Sequence, residues 1–375
     1  MSLTAPSPPV LLPYLITFLR GTPTFALNTA KILGATLLLL NIGSFPLIWH
    51  FRVFFCVFQA RLALRWHKLQ HIFSSRETKK RALQAWYEGR LQLGVHPFKK
   101  IFKYPKFVGF DDSDLYLHQS NSSYARALDT ARFHLALATY PNLFRCGGFS
   151  PLAATHFHFL REIPMLTNYE VRCTLASWDE KWLYVICRFV KPPSKSKSAS
   201  KEKHATEGVP QEKLIPNLTT PATPLTGIVT PSNNSTAGQG AEPSAVAQAL
   251  LARAAQQAEP DGGLILAAIS VSQLCFKVGR ITVPPAIVLA ANGWYASEDT
   301  TATQPPYWDQ VSKLTAPDKM RELGAFYRGG WKEVPEAERW WEEAFKNCNE
   351  ERVARLKPFS VGGLSGGLAG VRNLV

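Results

Sequence analysis

The sequence predicts an α+β chain built from one long buried helix and a set of strands, with a transmembrane helix in front of them. Three observations carry this. Residues Asn121 to Tyr140 are rich in Ala and poor in charge, with Tyr124, Leu128, Ala131 and Leu135 at helical spacing, the pattern of a buried helix. Behind that helix, short segments alternate apolar and polar residues, the period of strands. Ahead of it, Ile32 to Phe51 holds no Asp, Glu, Lys or Arg and matches the roughly 20 residues that cross a hydrocarbon core.

Composition sets the outer bounds. A chain of 375 residues exceeds one average domain, and its 46% hydrophobic residues can fill a sizeable core. The net charge of +14 is concentrated between Arg52 and Lys106 and in the run Lys191 to Lys203, with no zinc-finger or RNP-like motif beside it, so nucleic acid is not an expected partner. The six cysteines lack CxxC pairs and metal-ligand spacing; neither a disulfide framework nor a metal site is indicated.

Taken in order, residues 1–31 form a Pro-rich apolar segment whose stretch Leu11 to Leu19 is too short, and too interrupted by Pro13, to span a bilayer. Residues 32–58 are the expected transmembrane helix, the alternatives being a buried core helix or an uncleaved signal sequence. Arg52, Arg61, Arg65, Lys68, Arg76, Lys79, Lys80 and Arg81 follow it, against Arg20 and Lys31 in front, so the positive-inside rule places the rest of a single-pass protein in the cytoplasm. Residues 59–97 read as a basic helical region, lying on anionic headgroups or serving as a stalk.

Phe107 to Phe110 is a short strand candidate. The helix after Asn121 stops at Pro141, which cannot continue it. Strands are expected at Thr155 to Ile163, Tyr169 to Trp178, Trp182 to Val190 and Leu264 to Lys277, the middle two joined as a hairpin through Trp178-Asp179-Glu180. Residues 191–263 are dominated by Pro, Ser, Thr, Lys and Gly and read as a disordered insertion; the sequons at Asn217, Asn233 and Asn234 fall here and, on a cytoplasmic side, stay unmodified. The domain so interrupted runs over 98–291, and 292–375 form a helical extension with helices at Asp318 to Tyr327 and Glu336 to Arg355, an apolar face at Trp340, Trp341, Ala344 and Phe345, and a flexible Gly-rich tail.

Chemistry points to the loop before the long helix. Asp112, Asp114 and His118 lie just upstream of Asn121, Ser122 and Ser123, which can accept hydrogen bonds from first-turn amides. Titratable groups thus stand beside amides able to polarise a carbonyl oxygen. Asn121 positions water or caps the helix. Asp129, two turns into the helix, is a second carboxylate, or else pairs with Arg132 or Arg126. His156, His158 and Glu162 share a strand face but are too few for a metal site, and Gly148 to Leu152 lacks the GxSxG of a serine hydrolase.

Asp112, Asp114, His118, Asn121, Tyr124, Asp129 and Arg132 resemble the hotdog-fold thioesterase signature DxDxxxHxxNxxYxxxxExAR, with Asp129 in the Glu position. Leu117 occupies the place of a usual Gly, and Ser120 that of the first of two usual Asn residues. Tyr169-Glu170-Val171-Arg172, Trp178-Asp179 and Phe276 to Pro285 extend the similarity to the group holding thioesterase superfamily member six and fungal secondary-metabolism thioesterases. That resemblance implies a hotdog fold, in which an antiparallel sheet wraps the long central helix, a homodimer with an acyl tunnel at its interface, hydrolysis of acyl-CoA or acyl-carrier thioesters, and no cofactor. It also implies Asp114 as the first candidate for the catalytic carboxylate and Asp129, a helix carboxylate of the kind some hotdog branches use as base, as the second, with His118 and Asn121 as further site residues. The other readings are a non-catalytic hotdog module binding acyl chains or a partner, and a dehydratase acting on hydroxyacyl thioesters.

Overall fold

The computed structural model describes residues 11–193, 263–296 and 304–360, of which 11–25, 358 and 360 by backbone alone. The body of the insertion expected at 191–263 and the Gly-rich tail lie outside the described residues.

Helices α1 (Leu11–Leu40), α2 (Ile48–Gln70) and α3 (Arg76–Glu88) precede strand β1 (Phe102–Phe107). The long helix α4 (Asn121–Thr139) and the short α5 (Pro141–Arg145) follow, then β2 (Leu152–Phe159), β3 (Asn168–Trp178), β4 (Leu183–Lys191) and β5 (Ile265–Leu274). These strands form one antiparallel sheet in the order β1-β3-β4-β5-β2. The first strand lies just before the expected Phe107 to Phe110; Pro105 is tolerated in it because β1 is an edge.

The β3–β4 hairpin turns where the sequence indicated, with Asp179 Oδ1 accepting from the amides of Lys181 (2.7 Å) and Trp182 (2.6 Å). Strand β5 pairs with β4 from Leu183↔Leu274 to Lys191↔Ile265, so the chain that leaves after β4 returns in register beside it. One sheet face buries Val171, Cys173, Leu175, Val185, Cys187 and Phe189 in a common core with Tyr124, Leu128, Ala131 and Leu135 of α4. A sheet wrapped on a buried helix in this way is the hotdog arrangement.

The expected membrane helix over 32–58 is not formed, and no helix among the described residues is long and apolar enough to cross a membrane. The apolar run is cut between Leu40 and Ile48. Asn41 turns back on Leu37 through its Nδ2 (2.9 Å), Ile42–Ser44 tighten into a 3-10 turn, and Phe45, ahead of Pro46, is extended at ψ 148°. Leu47 then takes φ 68° before α2 starts. With no span, the single-pass membrane localisation, the membrane partner and the sidedness argued from the flanking Arg and Lys all lose their premise. The basic region after the apolar run holds two helices: α2 stops at Gln70, and Ser75 starts α3 by accepting from the Thr78 amide at 3.2 Å.

A hairpin of β6 (Phe276–Val278) and β7 (Ile281–Val283) turns at Gly279, whose φ of 62° favours glycine. Beyond it come α6 (Pro285–Ala290), α7 (Trp308–Thr315), α8 (Met320–Tyr327), α9 (Trp340–Glu343) and α10 (Asn349–Ser360). The helix expected over Glu336 to Arg355 is therefore broken. Its apolar side chains face different partners: Trp340 stacks on Tyr307 and Phe326, while Phe345 meets Trp178. Asn142 and Asn292, both buried, tie α5 to α6: Asn142 N donates to Asn292 Oδ1 and Asn142 Nδ2 to the Ala291 carbonyl, each at 2.9 Å.

Candidate active site

The loop from Gly109 to Ser120 is a closed unit. Asp114 Oδ1 accepts from the amides of Tyr116 (2.9 Å) and His118 (3.2 Å), and Asp114 N donates to the His118 carbonyl at 2.8 Å. The carboxylate that heads the turn is exposed to solvent. Leu117 holds φ 61°, so the loop keeps the left-handed conformation that a Gly would adopt freely. The unit is stitched to the segment after β2: Gln119 N donates to the Ile163 carbonyl and Met165 N to that of Leu117, each at 2.8 Å.

Asp112 sits beneath the loop rather than at its mouth. It is buried, with Lys106 Nζ 3.4 Å from Oδ2 and Arg126 Nη2 bonded to Oδ1. Burial opposes ionisation of this carboxyl, but Lys106 and Arg126 outweigh it and hold the group below its ordinary range. Burial pushes the Lys106 ammonium down as well, with Asp112 resisting. This aspartate therefore organises the loop.

His118 is half-buried, its Nδ1 3.2 Å from Glu162 Oε2 without the alignment of a hydrogen bond. Tyr124 closes the same region from α4. Its phenol is pushed up first by burial and then by the charges of Glu162 and Asp114, against a hydrogen bond from the Ile163 backbone. Asp114, His118, Tyr124 and Glu162 thus share one neighbourhood. Glu162 was considered in the sequence only alongside His156 and His158; its contact with His118 depends on the bridge between His118 and Pro164, which no local spacing announces.

The start of α4 falls where it was expected, with Ser120 at the cap and Asn121 as the first helical residue, exposed. No side chain caps the first turn, because the Ser120 hydroxyl meets those of Ser122 (3.1 Å) and Ser123 (2.9 Å) instead. Amide donors are thereby left at this helix end. Asp129 is apart from this group, 45% exposed, with Oδ1 bonded to Arg132 Nη2. Arg132 also donates through Nη1 to Thr155 Oγ1 (2.8 Å) and Ser272 Oγ (2.9 Å), pinning α4 to β2 and β5. Among the described residues no cluster of His, Cys, Asp or Glu could hold a metal.

Residues 108–207, which contain this loop, the long helix and three of the strands, match the model of the thioesterase-like superfamily. That stretch is what ties the chain to the superfamily by similarity. The chain is similar to a probable thioesterase of Saccharomyces cerevisiae, 36% identical over 81 residues covering 21% of this chain and 35% of that protein. Thioesterase poxG of Penicillium oxalicum is 29% identical over 188 residues, 45% of this chain and 54% of its own. Protein THEM6 of Xenopus laevis is 31% identical over 121 residues, 29% of this chain and 58% of its own. The chain thus spans less than two thirds of the length of each. Among solved structures, the chain aligns with a 4-hydroxybenzoyl CoA thioesterase from Pseudomonas at 10% identity and a TM-score of 0.29, covering 51% of this chain and 98% of the other.

Proposed function

We propose that this chain hydrolyses acyl thioesters, of CoA or of a carrier protein, with Asp114 as the general base. The observation that carries the reading is the setting of Asp114: an accessible carboxylate in a fixed turn, beside His118 and Tyr124, next to a helix start whose amides no side chain caps. A water activated by Asp114 adds to the thioester carbonyl carbon as the oxygen takes up the electron pair under the α4 amides. Return of that pair breaks the C–S bond, and the proton taken by Asp114 goes to the departing thiolate. In this reading His118 meets the leaving group, and Asn121, exposed on the first turn, holds the water. Asp129 is the second carboxylate, but its tie to Arg132 commits one of its oxygens. Within this reading the domain runs over 98–291, and a fungal secondary-metabolite pathway is one class it could serve.

The reading extends to a homodimer through β2. One sheet edge, β1, carries Lys103 and Pro105, which discourage pairing, whereas β2 carries neither Lys nor Pro along Leu152–Phe159. An unguarded edge of that length is a template for a second copy.

The test is thiol release by the full chain from a panel of acyl-CoA substrates. Asp114→Asn is expected to lower kcat by about a hundredfold or more, with Asp129→Asn costing less. Equal rates for wild type and Asp114→Asn remove Asp114 from the mechanism, and no turnover of any thioester removes the activity.

A further inference from the structure

The turn between α1 and α2, read in the sequence as the middle of a membrane helix, is packed on the loop described above. Gly43 is buried in that turn, and a Cβ built there would lie 1.9 Å from Asp111 Oδ2, 2.8 Å from its Cγ and 2.9 Å from Arg52 Nη2. A Cβ on Gly109, from the other side, would lie 2.7 Å from Asp111 Oδ1. Asp111 is therefore seated between two glycines, with only 7% of its side chain exposed and Arg126 Nη2 3.8 Å from Oδ2. Its Oδ2 is buried and accepts no hydrogen bond. Such a carboxylate is costly unless cations hold it; Arg126 of α4 is its ion-pair partner, and Arg52 of α2 reaches the same seat, its Nη2 2.9 Å from the Cβ built on Gly43. Arg126 also donates to the Asp111 carbonyl at 3.1 Å and bonds Asp112, whose own carbonyl accepts from Ser120 N at 2.9 Å. A chain of contacts thus leads from Gly43 through Asp111 and Arg126 to the residues that begin α4. Alongside it, Val53 is buried and Phe54 meets Phe133 of α4 edge-on at 5.6 Å.

We propose that the α1–α2 turn is a strap that positions the site loop, with Gly43 as its seat, Asp111 as the group seated, and Arg52 as a further positioning residue. Its effect on turnover rests on the hydrolytic reading above; its effect on the loop does not. Filling the seat with a methyl group forces Asp111 out of it, which loosens the turn that aims Asp114 and His118 without touching either.

The experiment uses the full chain with Gly43→Ala, and Arg52→Ala as a second variant that adds no bulk. Hydrogen exchange followed by mass spectrometry reads the loop directly. Peptides covering residues 110–120 are expected to exchange about tenfold faster in each variant, while peptides of β3 and β4 keep the wild-type rate. In the thiol-release assay kcat is expected to fall about tenfold with KM within about twofold, since geometry rather than binding is lost. Adding Asp111→Ala to Gly43→Ala is expected to cost little more than either change alone, because both remove the same contact. Unchanged exchange in 110–120, or exchange raised equally in β3 and β4, overturns the strap. A loosened loop with unchanged kcat overturns its positioning role. If the wild type turns over no thioester, the hydrolytic reading fails alone and the exchange result still decides the strap.

Discussion

Leu117 holds a backbone conformation that costs a residue with a Cβ about 1–2 kcal/mol, and the residue is 60% exposed, so burial returns little of that. Leu117→Gly relieves the strain but adds freedom to the unfolded chain, for a net gain of about 0.5–1 kcal/mol. Urea unfolding is expected to show a higher midpoint for the Gly variant and no gain for Leu117→Ala. The sequence showed the departure at this position; that the loop keeps the glycine conformation regardless was beyond it, because nothing local reveals a φ. Asp112 argues in the other direction. Its folded carboxyl lies below the ordinary value near 3.8, so its contribution to stability is complete above that pH and is lost as pH falls through the depressed folded value. Asp112→Asn is expected to cost roughly 3 kcal/mol at pH 7, since Lys106 and Arg126 lose their partner, and to flatten the stability profile below about pH 4. An unchanged acid limb would show that the pairing is absent in solution.

At the scale of elements, legibility followed the range of the interactions. The period of α4, the Asp179 turn and the alternation of β3, β4 and β5 are local patterns, and each element stands close to where its residues placed it. The N-terminal run was misjudged because hydropathy counts apolar residues without asking whether Asn41, Gly43 and Pro46 let them share one helix. Glu162 and Arg126 were not assigned to the site because their contacts join segments far apart in the chain. Strand β2 carries the next test. A Lys at His156, in the middle of the unguarded edge, is expected to convert a dimer to a monomer in sedimentation while the circular dichroism spectrum is kept. A wild type that sediments as a monomer removes edge pairing.

For the molecule as a whole, the decisive feature is that the sheet is covered on both faces. Opposite α4, the side chains of Ala176, Tyr184, Ile186, Ile269 and Val271 form a second apolar surface, closed by Phe359 of α10. Polar contacts place α10 on it: Ser177 Oγ donates to the Arg352 carbonyl and Arg352 Nη1 to the Trp178 carbonyl, both at 2.7 Å. Phe359 lies stacked on Tyr184 with ring centroids 4.7 Å apart. Further strands can then be added at the edges, but a second sheet cannot stack on this face while α10 stays docked. If that account is right, Phe359→Ala should cost about 3 kcal/mol, the loss expected for a buried ring whose surroundings relax only in part. Phe149→Ala, at a half-exposed ring, should cost under about 1 kcal/mol. Urea unfolding of the two variants side by side measures the difference. Equal losses would mean that α10 does not cover the sheet, and the outer face would then be free for a second copy.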